Sequence, residues 1–309
     1  MLLLVILILT LISVLVLSWA REWRTELKLA RNFGQAQKCR LLAESGVFYA
    51  LGKVLKAKSV ELAENQSHTS ESEVAPGDLW EGDQRPHYLE LPDGKVEVRI
   101  GDEGGKIDLN HASEEVLRNL FTVLGVPELQ SRIMVDSLQD WRSRDEYPRP
   151  YGAKDDYYLR LDPPYVAKNG IFERVEELAW VRGFGNSPLV ARLGQWLTVQ
   201  ATSQRVNVNT APLEVLLTLG FSRGAAEAII ASRQTAPFRN LTEVSRAAAT
   251  PISPLDQRFF FKSSPFFTIT ATGMVKNSQG RYTIKVLARV DAKSKEPWTI
   301  YSWFDGYPG

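Results

Sequence analysis

The chain has 309 residues, 44% of them hydrophobic and 24% charged, with a formal net charge of +1. That is room for two compact domains and an anchor, and the charge balance gives no reason to expect a nucleic-acid or membrane-surface partner. The single cysteine, Cys39, excludes an internal disulfide and a cysteine-rich zinc site, and three scattered histidines, His68, His87 and His111, leave little material for a metal site or a catalytic pair.

The amino terminus reads MLLLVILILTLISVLVL, and Ser18, Trp19 and Ala20 extend it to the length of a bilayer-spanning helix. Leu2, Val5, Leu9, Ile12 and Leu15 mark the anchor, and Trp19 and Trp23 fall where an interfacial aromatic is favoured. Thr10, Ser13 and Ser18 can hydrogen-bond back to their own helix. A cleaved secretory signal needs a charged start and a small-residue cleavage site, and neither is clear. Between a generic signal anchor and a pilin-type first helix, the stretch beyond the membrane favours the second. Residues 21–57 contain no proline, and Leu27, Ala30, Phe33, Leu41, Phe48, Leu51 and Leu55 recur at helical spacing. This predicts one helix over 1–57, with 1–20 in lipid and 21–57 packed on a globular body. Arg21, Arg24, Lys28 and Arg31 follow the apolar run, so the positive-inside rule alone would leave the body in the cytoplasm. A short basic leader upstream of Met1, later removed, would reconcile the two.

Residues 58–86 are polar and weakly patterned and are expected to form a loop, mobile around Asn65 to Ser72. His87 to Leu91 and Lys95 to Ile100 flank Pro92-Asp93-Gly94, a hairpin signal, with Val96, Val98 and Ile100 on one face. Near the carboxyl end, Pro265 to Thr272, Gly280 to Arg289 and Pro297 to Phe304 again predict strands. Phe260, Phe261, Phe266 and Phe267 suit either the core or an interface, and the core is favoured. The predicted fold is α+β: a pilin-like long helix (1–57) on an antiparallel sheet built from 58–104 and 263–309, with an all-α domain (105–262) inserted between strands.

That insertion contains a repeat. Ile107-Asp108-Leu109-Asn110-His111-Ala112 precedes Ser113-Glu114-Glu115-Val116-Leu117, and Val206-Asn207-Val208-Asn209-Thr210-Ala211 precedes Pro212-Leu213-Glu214-Val215-Leu216. Each copy then meets a glycine turn, Gly125 or Gly220, a second helix ending near Arg142 or Arg233, and a closing Phe-x₄-Glu, Phe172 to Glu177 or Phe238 to Glu243. The pattern is that of one helix-hairpin-helix unit used twice. Ser113 suits a helix cap and Pro212 a first turn. The first copy alone carries the extra stretch 143–170, rich in Pro, Tyr and Asp.

The motifs GDEGGKIDLN (101–110), Asp140-Trp141, Gly152 with Asp155-Asp156-Tyr157-Tyr158, PPY (163–165), KNGIFERVEEL (168–178) and VNVNTAP (206–212), in this order, resemble the general secretion pathway protein K (GspK) family, as does the apolar start. The resemblance covers nearly the whole chain. It implies a minor pseudopilin of a type II secretion system, inserted in the inner-membrane lipid with its body in the periplasm. It further implies a pseudopilus-tip complex with the minor pseudopilins I and J, with minor pseudopilin H and the major pseudopilin G as further candidates. Pilins generally carry a glutamate at position five, where this chain has Val5; a terminal subunit has no neighbour above it to pair with such a carboxylate, which would be costly in lipid.

The resemblance also implies calcium. Asp140, Asp145, Glu146, Asp155 and Asp156 lie in an irregular Pro- and Gly-containing segment, the kind of carboxylate-rich loop that calcium takes its oxygen ligands from. The alternative is a solvated loop balanced by Arg142, Arg144, Arg149, Lys154 and Arg160. Where the family often has further acidic residues, this chain has Ser143 and Lys154. No nucleophile triad, HExxH or P-loop spacing is present, so no enzyme activity is expected. Two other functions compete. Residues 206–244 also resemble the helix-hairpin-helix of the competence receptor ComEA, which would make the chain a membrane-anchored DNA-binding protein gripping phosphates at Leu219 to Gly224. A type IV pilus minor pilin is the other.

Overall fold

A computed structural model of the chain describes residues 1–66, 80, 82–185, 187–201, 204–253, 256–276 and 278–307, with side chains left out at 64–66. Helix α1 runs without a break from Leu2 to Gln66, 65 residues or roughly 100 Å. It therefore continues nine residues beyond the predicted end at 57, because nothing in 58–66 breaks a helix. The remainder of the expected loop is also shorter than predicted, since strand β1 already begins at Asp83 and runs to Leu91. Residues 67–79, including most of the stretch expected to be mobile, lie outside the described residues.

Strand β2 (Gly94–Asp102) forms the predicted hairpin with β1, closing at Leu91 opposite Gly94. The chain then leaves the sheet through β3 (Ile107–Asp108), α2 (Glu114–Val123), α3 (Glu128–Arg142), α4 (Asp155–Tyr158), α5 (Pro188–Leu193) and β4 (Leu197–Thr198). A second series follows: β5 (Val206–Asn207), α6 (Leu213–Thr218), α7 (Arg223–Arg233), α8 (Leu241–Ala247) and β6 (Phe259–Phe260). The sheet resumes with β7 (Phe266–Val275), β8 (Arg281–Val290) and β9 (Trp298–Asp305). Its order is β1-β2-β7-β8-β9, with every neighbouring pair antiparallel. Because β2 and β7 are adjacent, with Asp102 opposite Phe267, the insertion begins and ends at neighbouring points and leaves the sheet intact.

The described residues form two cores. In the first, Val96, Val98, Ile100, Ile269, Ala271, Ile284, Val286 and Ala288 alternate along the strands and face α1. The stem meets them with Cys39, Leu42, Ala43, Val47, Ala50, Leu51 and Val54. This corrects the predicted stripe. Of its members, Leu51 is fully buried and Leu55 packs at the margin, whereas Leu27, Phe33, Leu41 and Phe48 are 47–67% exposed. The sheet selects the face with small residues because the backbones come very close. At Gly273 of β7 a Cβ would collide with the carbonyl oxygen of Cys39 and the amide nitrogen of Ala43. Cys39 itself is buried, its Sγ 3.3 Å from the Gly280 carbonyl oxygen.

The second core is the helical insertion, centred on Leu109, Leu117, Leu120, Phe121, Leu138, Tyr158, Phe172, Leu178, Val208, Leu216 and Ile229. The four expected core phenylalanines divide: Phe267 is buried, while Phe260, Phe261 and Phe266 are half-buried at the seam between insertion and sheet.

Candidate functional site

The two repeats are built by the same hydrogen bonds. Asn110 donates through Nδ2 to the Phe172 carbonyl and accepts from the Phe172 N–H, at 2.9 and 2.8 Å. Asn209 does the same with Phe238, at 2.9 and 2.8 Å. A planar amide that satisfies both backbone groups of a distant residue fixes the closing loop on the start of the unit. Arg142 at the end of α3 donates to the carbonyls of Leu109, Asn110 and Ala112, and Arg233 at the end of α7 donates to those of Val208 and Ala211. Burial pulls the Arg142 pKa down from its ordinary value, partly opposed by Asp108. Glu177 accepts from the N–H of Glu173, and Glu243 from that of Arg239. Each glycine turn sits at positive φ, +76° at Gly125 and +97° at Gly220, which is why glycine stands there. Ser113 caps α2, accepting from the Val116 N–H, but Pro212 takes the cap position of α6 itself, with no side-chain bond.

Each unit is also tied off by a short parallel bridge: Ile107–Asp108 beside Leu197–Thr198, and Val206–Asn207 beside Phe259–Phe260. These were not legible in the sequence, because a two-residue strand carries no periodicity.

The junction between insertion and sheet is organised around a buried carboxylate. Asp102, 2% exposed, accepts from the N–H groups of Gly104 and Ser264 through Oδ1, and from Asn207 Nδ2 and Thr210 Oγ1 through Oδ2, all at 2.8–3.0 Å. Its four donors come from the turn after β2, from the residues leading into β7 and from the second repeat. Beside it, Lys106 Nζ pairs with Glu103 at 2.5 Å, and Glu103 also accepts from Thr268 Oγ1 at 2.6 Å. A buried charge tolerates this environment only when its hydrogen-bonding capacity is met.

The five carboxylates expected to bind calcium differ in burial and in partners. Asp140 is 2% exposed, and its Oδ2 accepts from the Arg149 N–H at 3.0 Å. Burial pushes its carboxyl above the ordinary range, with Arg149 and Lys154 opposing. Asp155 accepts from the Ala167 N–H at 2.8 Å. Asp145 is exposed and bonded to Ser143, and Glu146 and Asp156 are exposed. Among the described residues no group of three or more His, Cys, Asp or Glu side chains converges as metal ligands would. Lys154 is buried at the carboxyl end of α3, where Nζ donates to the Asp140 carbonyl. The segment is finished by an aromatic layer in which Trp141, Tyr158, Tyr165 and Trp180 meet in successive ring contacts, and burial pushes the Tyr158 hydroxyl up to about 12.

At the amino end, Leu2, Val5, Leu9, Ile12, Leu15 and Trp19 are 50–75% exposed, and this is the one described helix long and apolar enough to cross a membrane. Thr10 and Ser13 return their hydroxyls to the carbonyls of Leu7 and Leu9.

Comparison with known proteins gives these features a family. Residues 99–202 and 206–258 match two domains that both carry the description "Type II secretion system (T2SS), protein K", and together they make up just over half of the chain. The chain belongs to the type II secretion system protein K family. The break between the two matched domains falls between the two repeats, so the family's own division coincides with the internal duplication. Among relatives, type II secretion system protein K of Pseudomonas aeruginosa is 29% identical over 212 residues, 64% of this chain and 63% of the relative. The Aeromonas hydrophila protein K is 28% identical over 182 residues, 55% of each. The chain thus aligns with less than two thirds of the length of either relative. A chain of the crystal structure of the GspK-GspI-GspJ complex from the enterotoxigenic Escherichia coli type 2 secretion system has the same fold. The TM-score is 0.63 over 90% of this chain and 99% of that one, at 18% identity.

In this family member the first half of the hairpin that would grip DNA is bonded internally. The N–H groups of Gly220 and Phe221 bond to the carbonyls of Leu217 and Leu216, Ser222 caps the Ala225 N–H, and Phe221 is buried against Phe259. Arg223 pairs with Glu227, and Arg258 donates to the Leu219 carbonyl at 2.8 Å.

Proposed function

We propose that the chain is a minor pseudopilin at the tip of a type II secretion pseudopilus. On this reading α1 is anchored in the inner membrane, the body lies in the periplasm, and the subunit assembles with minor pseudopilins I and J. Its role is structural: it helps initiate the pseudopilus that exports folded proteins, and it does no catalysis. The observation that carries this is the combination of a pilin-like helix-on-sheet body with the protein K insertion, in a fold that matches a chain of a GspK-GspI-GspJ complex along 99% of that chain. The stem supports it as well. Leu27, Leu29, Phe33 and Leu41 extend an exposed apolar surface beyond the membrane segment, as a helix packed among other subunits' helices would need.

The nearest thing to a catalytic pair also favours a structural role. His111 Nδ1 lies 2.8 Å from Asp108 Oδ2, but Asp108 Oδ1 already receives the N–H of Asn110. The same turn recurs at Asn207 to Asn209 with Thr210 in place of the histidine, so the carboxylate is a turn former.

The test is co-expression of the full chain with the I and J pseudopilins of the same bacterium, followed by detergent extraction and size-exclusion chromatography. Co-elution of the three is expected. Separate elution would sink the assembly reading. Protease added to the outside of spheroplasts should cleave the body, and protection would instead support the cytoplasmic orientation that Arg21, Arg24, Lys28 and Arg31 favour.

A further inference from the structure

Lys154 lies in the segment 143–170, which leaves the end of α3 and returns where the Gly170 N–H bonds to the Trp141 carbonyl. Its side chain runs inward and is 7% exposed. Nζ donates to three oxygens: the carbonyls of Asp140 and Ser143, each at 2.7 Å, and Oδ1 of Asn169 at 3.0 Å. Three donors meet three acceptors, which uses the full capacity of an ammonium group. Two of the acceptors are carbonyls at the carboxyl end of α3, where unpaired C=O groups and the helix dipole concentrate negative potential. The set is also of the kind a hard divalent ion selects: backbone carbonyls, an amide oxygen and nearby carboxylates in an irregular loop. Here the position a metal would take is filled by nitrogen.

The carboxylates around it are committed elsewhere. Asp136 accepts from the Tyr151 N–H at 3.0 Å, Asp140 from that of Arg149, and Asp155 from that of Ala167. The first two fasten different points of the segment to α3, and the third ties the segment to itself. What the loop needs from a cation is neutralisation of the inward-facing oxygens, and the chain supplies that charge itself.

We propose that the Lys154 ammonium is the resident cation of this loop, so that the first repeat holds its extra segment in place without calcium or any other divalent ion. The competing account makes Lys154 an ordinary helix cap and leaves calcium to bind the exposed carboxylates Asp145, Glu146 and Asp156.

The experiment uses the full-length chain in detergent, stripped of metal. Thermal unfolding and chymotrypsin cleavage after the exposed Tyr151, which precedes Gly152, are followed with excess EGTA or with millimolar calcium chloride. An ion that bound the folded state at about a hundred times its Kd would raise Tm by roughly 5–10 °C. The wild-type chain is expected to show the same Tm and the same cleavage rate in both conditions. Lys154→Met, which keeps the length and removes the ammonium, is expected to lower Tm by roughly 4–10 °C and to speed cleavage after Tyr151. A calcium-dependent rise in wild-type Tm, or calcium retained by the wild-type chain on calorimetric titration, would overturn the proposal. So would a Lys154→Met chain as stable and as protected as wild type. Should that variant not fold, the wild-type titration alone still decides.

Discussion

Asn110 and Asn209 carry the same latch, yet they are not equally placed. Asn209 is buried, and its amide also reaches the Phe261 carbonyl at 2.9 Å, whereas Asn110 is partly open to water. Truncating a buried polar group strands its partners, and each stranded donor or acceptor costs about 1–3 kcal/mol. Asn209→Ala is therefore expected to destabilise by about 3 kcal/mol and Asn110→Ala by about 1 kcal/mol, measured by chemical unfolding in detergent. Equal losses would mean that burial does not set the cost. His87 offers a second residue-scale test. Its ring stacks on Trp80 at 4.2 Å between centroids, Trp80 in turn meets Tyr49 of α1, and its Nε2 is buried without a hydrogen-bond partner among the described residues. Burial lowers its pKa below 6.5, against the pull of Asp83. The folded state thus holds the proton less tightly than the unfolded chain. The stability this contributes is complete above 6.5 and is lost as pH falls through the lowered value. Unfolding monitored from pH 8 to pH 5 should show this decline in the wild type and a shallower one in His87→Phe.

For the elements, α1 is the instructive case. An amphipathic reading selected the large apolar side chains, because size usually marks a core face. In this helix large residues occur on more than one side, and the sheet accepts the side carrying Cys39, Ala43, Gly46 and Ala50. The missing information was a distance, the close approach of β7 at Gly273. Gly273→Val forces the stem away from the strand. Overpacking of this kind typically costs about 1–3 kcal/mol and sometimes more. The expected outcome is faster proteolysis within 39–57, with the helical insertion still resistant. Protection of the stem in that variant would show that the contact is not tight. The strands, by contrast, were placed to within a few residues, since alternation such as Val96, Val98 and Ile100 is local and survives in the fold.

At the scale of the whole molecule, two separate cores meet at a narrow junction of Asp102, Glu103 and Lys106. Domains with their own cores unfold as separate cooperative units unless their interface couples them strongly. Calorimetry of the full chain should resolve two transitions. Leu51→Ala should lower the one belonging to the helix-and-sheet body, and Leu120→Ala the one belonging to the insertion, each by about 2–5 kcal/mol. A single transition shifted equally by both would make the molecule one cooperative unit.

The amino-acid sequence by itself determined what rests on local pattern. The apolar run announces a membrane-length helix, alternation marks the strands, and two copies of one motif in order reveal the duplicated unit along with the residues that latch it. Side chains one or two turns apart report on one another through helix and strand geometry, so such features can be read along the chain. Only the tertiary structure decided which face of α1 the sheet accepts, that Asp102 joins partners more than a hundred residues away, and that Lys154 enters the oxygen cage while the neighbouring carboxylates turn to backbone N–H groups. Charge in a loop can be counted from the sequence. Which charge goes inside depends on the balance between desolvation and the partners that folding brings within reach, and that balance exists only in three dimensions.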